Sequence, residues 1–138
     1  MTRNYAVPLD AVDRVELTTA GATVTKRIVA DDPYIEGHYP GFPIYPGVFT
    51  VETVYQASRG LVESRREPGT RVTLAEVRSV RFKAPLRPGD ELTAECELRD
   101  DPDDISRVLV VAECRRKDGA TVAKVTLDLR VHEAGDHA

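Results

Sequence analysis

The chain of 138 residues has no tryptophan, one methionine, two cysteines and three histidines. Cys96 and Cys114 form no CxxC pair and have no histidine at zinc-ligand spacing, so neither a disulfide framework nor a metal site is expected. They read as small, buried or half-buried strand residues. No apolar run approaches the length of a membrane span. The N-terminal MTRNYAVPLD lacks the apolar stretch of a signal peptide, which makes a cytoplasmic protein the expectation. Internal repeats and low-complexity segments are missing too. So is any surplus of positive charge: 19 Lys and Arg against 23 Asp and Glu leave a net charge of −4. Nucleic-acid binding through a global basic field is thereby disfavoured.

What the chain does have is an ordinary globular balance, 41% hydrophobic and 30% charged, at a length that fits one domain over residues 1–138. Alternating apolar and polar residues predict strands at 12–18 and 22–29, with Ala20-Gly21 as the turn between them. Four prolines (Pro33, Pro40, Pro43 and Pro46) make 31–46 a loop. Further strands are predicted at 72–82, 91–98, 106–116 and 121–131, separated by PLRPGD, by the acidic DDPDD and by the hairpin signal Lys117-Asp118-Gly119. The tail from about 132 is expected to fray, with His132 and His137 as exposed bystanders. The positive charge is uneven. Arg71, Arg78, Arg81, Lys83 and Arg87 fall in one stretch, which reads either as a solvated face or as a docking patch for an acidic partner.

One long helix is predicted from Pro46-Gly47 to about Glu63, before the breaker Pro68-Gly69. Val48, Val51, Tyr55, Ser58 and Val62 recur at helical spacing and are read as its apolar stripe. Its β-branched residues and Gly60 give it mediocre intrinsic propensity, so burial against a sheet should hold it. Glu52, four positions from Val48, is assigned to that stripe. Desolvation there would favour the neutral, proton-donating carboxylic acid. Gln56, one turn on, can hydrogen-bond it and fix its orientation.

Chemistry concentrates in GHYPGFPIYPGVFTVETVYQ, residues 37–56. His38 lies in a proline- and glycine-rich loop, and Glu52 follows fourteen positions later. Taken singly, the histidine is a loop residue satisfied by carbonyls and the glutamate a solvated helix residue. Taken together, they are a base and an acid flanking a helix start. The amides of Gly47 and Val48 at that start are unpaired donors at the positive end of the helix, suited to a developing oxyanion.

This segment resembles the active-site stretch of the β-hydroxyacyl-acyl carrier protein dehydratases of fatty-acid and polyketide synthesis. His38, Tyr39, Pro40, Gly41, Pro43, Pro46, Gly47, Glu52 and Gln56 match that family's pattern in register. VRFKAPLRPGDEL is similar to its strand-turn-strand after the helix, and KDGATVAKVTL to its last hairpin, so the likeness spans residues 31–131. Phe42, Tyr45 and Tyr55 depart from the usual residues and are expected to line the acyl pocket.

The resemblance implies an α+β hot-dog fold, an antiparallel sheet wrapped around one central helix. It also implies a homodimer in which each active site takes its histidine from one subunit and its acid from the other. It assigns His38 as base and Glu52 as acid in removing water from a (3R)-3-hydroxyacyl thioester to give the trans-2-enoyl thioester, with no metal or other cofactor. The acyl chain would arrive on the phosphopantetheine arm of an acyl carrier protein, an acidic partner for Arg78, Arg81, Lys83 and Arg87. Two alternatives stay open: an acyl thioesterase of the same fold, and a non-catalytic partner subunit of a heterodimeric dehydratase. An (R)-specific enoyl hydratase would place an aspartate five residues before the histidine, where this chain has Pro33.

Overall fold

The structure is a computed structural model that describes residues 11–29 and 45–134. Six strands and one helix follow in the order β1 (Arg14–Leu17), β2 (Gly21–Arg27), α1 (Gly47–Arg65), β3 (Arg71–Phe82), β4 (Glu91–Asp101), β5 (Asp104–Arg116) and β6 (Thr121–His132). All pairings are antiparallel, in the order β1-β2-β4-β5-β6-β3. The chain leaves β2 through α1 and returns as β3 on the opposite edge, so the sheet curls around the helix as the hot-dog arrangement requires. At the far end, Glu63 of α1 accepts the Val72 amide of β3 at 3.0 Å, tying the helix to that edge.

Period-2 alternation sets the core. Leu92, Ala94 and Cys96 of β4, Val108, Val110, Ala112 and Cys114 of β5, and Val125, Leu127, Leu129 and Val131 of β6 all turn inward and are buried. Burial of apolar area at ~25 cal/mol per Å² is the dominant stabilising term for such a layer. The inward set is rich in small side chains, which lets backbone layers approach closely. Gly21 is the extreme case, since a Cβ there would collide with the Cys96 carbonyl of the neighbouring strand.

The helix turns a different face to this core from the one its valines predict. Its buried residues are Thr50, Thr53, Val54, Ala57, Ser58, Leu61 and Val62. Only Ser58 and Val62 of the expected stripe are among them, and Val48 is 65% exposed. At about 100° per residue the true face is rotated by roughly one residue from the predicted one. The cause is two buried threonines. Thr53 hides its hydroxyl by donating to the Ala11 carbonyl at 2.8 Å and lies near the Phe49 carbonyl at 3.1 Å. A threonine satisfied in this way behaves as an apolar core residue. Glu52 consequently lies on the side of α1 facing away from the core, half-buried rather than enclosed.

His132 departs from expectation as well. It closes β6, is half-buried and shares a hydrogen bond of 2.9 Å with the Thr73 hydroxyl of β3. The pairing of Arg71 with His132 holds the end of the strand that the sequence leaves to fray. His137 lies outside the described residues.

Candidate active site

Helix α1 begins at a proline, whose side chain offers no cap. Pro46 is the N-cap residue, and among the described residues no side-chain hydrogen bond caps the helix. A proline there fixes φ at −58°, which brings the chain into the helix at a set angle. Helix geometry leaves the first-turn amides, among them Gly47 and Val48, without intrahelical acceptors, and the macrodipole makes this end electropositive. Phe49 is the first to turn inward, donating to the Pro46 carbonyl at 2.9 Å.

Beside this helix start lies a cavity of about 460 Å³, bordered by Tyr45, Gly47, Val48, Phe82, Lys83 and Leu86. Glu52 follows Val48 by one turn, about 6 Å along the axis. Its Oε1 accepts a hydrogen bond of 2.9 Å from Gln56 Nε2. Gln56 thus holds the carboxyl group in one orientation, on the outward side of the helix. The arrangement combines two helix-start amides without an acceptor among the described residues, a fixed carboxyl group and an apolar recess within one and a half turns.

The other predicted residues fall in several places. His38 and Phe42 lie outside the described residues, as do Tyr39, Pro40, Gly41 and Pro43. Tyr45 is 3% exposed. Its ring meets Phe49 edge-on with centroids 5.4 Å apart, so it belongs to the core that floors the cavity. Tyr55 is half-buried, and the Arg59 guanidinium lies 5.5 Å from its ring centroid.

The basic stretch does not form one patch. Arg81 is in register with Lys124 on the outer sheet face, above a groove of about 680 Å³ that also contains Glu95, Glu97 and Glu113. Lys83 borders the helix-start cavity. Arg78 borders a different recess, with Asp100, Asp101 and Asp128, and Arg87 is exposed in the turn before β4. A register shift between Val77 and Ser79 breaks the alternation at Arg78 and separates it from the others. None of the four makes an ion pair among the described residues.

Sequence reasoning missed Phe82. It lies inside VRFKAPLRPGDEL, but alternation along β3 marks it only as one more strand residue. Its contact with Gly47 joins segments 35 positions apart in the chain. Cys96 and Cys114 are both buried, as expected. Burial pushes the Cys96 thiol up to about 11, partly offset by the nearby Ser58 hydroxyl, and Cys114 up to about 12. Neither is a nucleophile at neutral pH.

Residues 14–125 match the ApeI-like family, described as ApeI dehydratase. The 3-hydroxyacyl-[acyl-carrier-protein] dehydratase FabZ of Yersinia enterocolitica is 34% identical over 128 residues, covering 89% of this chain and 74% of that protein. Among solved structures, a thioesterase from Haemophilus influenzae superposes with a TM-score of 0.67 at 17% identity, covering 89% of this chain and 81% of the other. A chain of the dehydratase heterocomplex ApeI:P from Xenorhabdus doucetiae superposes with a TM-score of 0.59 at 20% identity, covering 79% and 86%.

Proposed function

Since the chain belongs to the ApeI-like dehydratase family, we propose that its reaction is the dehydration of (3R)-3-hydroxyacyl thioesters carried by an acyl carrier protein. The observation that carries this reading is the Gln56-held carboxyl of Glu52, one turn from an uncapped helix start. A thioester carbonyl accepting the Gly47 or Val48 amide has its developing enolate stabilised by fixed dipoles that need no reorganisation. Neutral His38 removes the Cα proton, and protonated Glu52 delivers a proton to the β-hydroxyl, which leaves as water. The Cα–H and Cβ–O bonds break, the Cα=Cβ bond and water form, and no electrons are gained or lost overall, so the step calls for no redox group. General acid–base help of this kind contributes about 10²–10⁴-fold per group.

The site is completed by a second copy of the chain. Glu52 faces away from its own core, and β3 is an edge strand of twelve residues with Leu74, Val77 and Phe82 exposed. An edge of that length, unpaired among the described residues, pairs readily with another strand. Pairing two β3 edges would join the sheets, and the family resemblance then assigns His38 of one subunit to the Glu52 of the other. Lys83 borders the cavity and makes no ion pair among the described residues, a positive charge suited to an acidic carrier protein.

The test is to incubate the purified chain with a (3R)-3-hydroxyacyl carrier protein and follow the loss of one water by mass spectrometry. Wild-type protein should form the enoyl thioester, and His38→Ala and Glu52→Ala should each lower the rate by at least about a hundredfold. Full activity in either variant refutes the assignment. Release of free acid without any enoyl product establishes a thioesterase instead.

A further inference from the structure

The helix start carries one feature that proton transfer leaves unused. Phe82, the last residue of β3, is 56% exposed, yet its ring is pressed against Gly47. A Cβ built on Gly47 would lie 2.8 Å from Cε1, 2.9 Å from Cζ and 3.2 Å from Cδ1 of that ring. Any side chain at position 47 would displace the phenyl group, so glycine and ring form one steric unit. The backbone that carries the ring is fixed as well. The Lys83 and Ala84 amides both donate to the Val122 carbonyl, at 2.8 and 3.3 Å, and the Tyr45 amide donates to Leu86 at 2.7 Å. The segment after Phe82 is thereby tied both to β6 and to the residues that lead into α1.

A thioester bound with its oxygen on the Gly47 or Val48 amide is activated twice. The polarisation that makes the Cα proton removable also exposes the carbonyl carbon to water. The competing reaction is hydrolysis: a water oxygen adds to that carbon, the C–S bond breaks, and acid and thiol are released, with a proton from water ending on the sulfur. Elimination needs no incoming water. Building on the dehydratase reading above, we infer that Phe82 is a specificity-determining residue whose ring covers the approach of water to the carbonyl carbon of the bound thioester. A fixed apolar group excludes water at that face and also strengthens the amide–oxyanion interaction by lowering the local dielectric.

The experiment compares wild type, Phe82→Ala and Phe82→Leu on the N-acetylcysteamine thioester of a (3R)-3-hydroxyacyl chain, with enoyl thioester and free acid measured separately by chromatography and mass spectrometry. Wild type should form enoyl thioester and release acid only at the uncatalysed rate. Phe82→Ala should release acid about tenfold faster than wild type and form enoyl product more slowly. Phe82→Leu, which keeps an apolar cover, should return both rates toward wild type. Because Phe82 is half-exposed on an edge strand, the alanine variant is expected to fold, and circular dichroism checks this. A folded Phe82→Ala that dehydrates normally and releases no extra acid overturns the role of Phe82 while leaving dehydration intact. A wild-type chain that forms no enoyl product overturns the dehydratase reading and this inference with it.

Discussion

The carboxyl of Glu52 is useful only if it points one way, and a helix surface does not ensure that by itself. The hydrogen bond from Gln56 Nε2, at 2.9 Å, restricts the side chain across one helical turn. A hydrogen bond between neutral groups contributes about 0.5–1.5 kcal/mol, of which only the part expressed in the transition state appears in kcat. Gln56→Ala should therefore lower kcat about tenfold, equivalent to about 1.4 kcal/mol, with a smaller change in KM. Steady-state kinetics on the carrier-protein substrate separate the two, and a rise in KM alone would show that Gln56 binds substrate instead of positioning the acid. Legibility in the sequence is good at this scale for Glu52 and Gln56, whose spacing of four residues forces them together. It is poor for Phe82, because nothing local to β3 shows that its ring will meet Gly47.

Among the elements, the packing of α1 on the sheet makes a prediction about pH. Cys96 and Cys114 are diagonal neighbours on β4 and β5, since Ala94 pairs with Cys114 and Cys96 with Ala112. Burial raises their thiols to about 11 and about 12. Below about pH 8.5 both thiols are protonated in the folded and the unfolded chain alike. Above it the unfolded chain loses those protons while the folded chain keeps them up to the raised values. The stabilising contribution is thus complete below about pH 8.5 and is lost as the pH rises through the folded values. Melting temperature should fall from pH 8.5 to 10.5, and the Cys96→Ala, Cys114→Ala double variant should show a shallower decline. Parallel slopes would mean that other groups govern alkaline stability. Strands and turns were the most legible elements, because period-2 alternation and KDG-type turns are local signals. The helix was legible in its extent but not in its facing, since Thr50 and Thr53 look polar in a hydropathy pattern and are buried in the fold. The passage of β3 to the far edge is a tertiary choice that alternation alone does not encode.

At the scale of the whole molecule, the site has an acid that faces outward and a strand β3 that is an edge among the described residues, and a second subunit would finish both. If His38 of one subunit serves Glu52 of the other, the two loss-of-function variants damage sites in a complementary way. In a mixed dimer of His38→Ala and Glu52→Ala chains, one site lacks both groups and the other has both intact. Random reassortment makes half of the dimers mixed, so an equal mixture should recover about a quarter of wild-type activity although each variant alone is inactive. Reassortment by mild denaturation and refolding, followed by the enoyl-formation assay, reads this directly. Sites built within one chain would give no recovery at any mixing ratio, because every site in the mixture would still lack one group. A further control uses the exposed edge. Val77→Asp, which places a charge where two β3 strands would meet, should shift light scattering toward monomer and abolish the recovery. A variant that stays dimeric and still complements would place the subunit interface elsewhere on the chain.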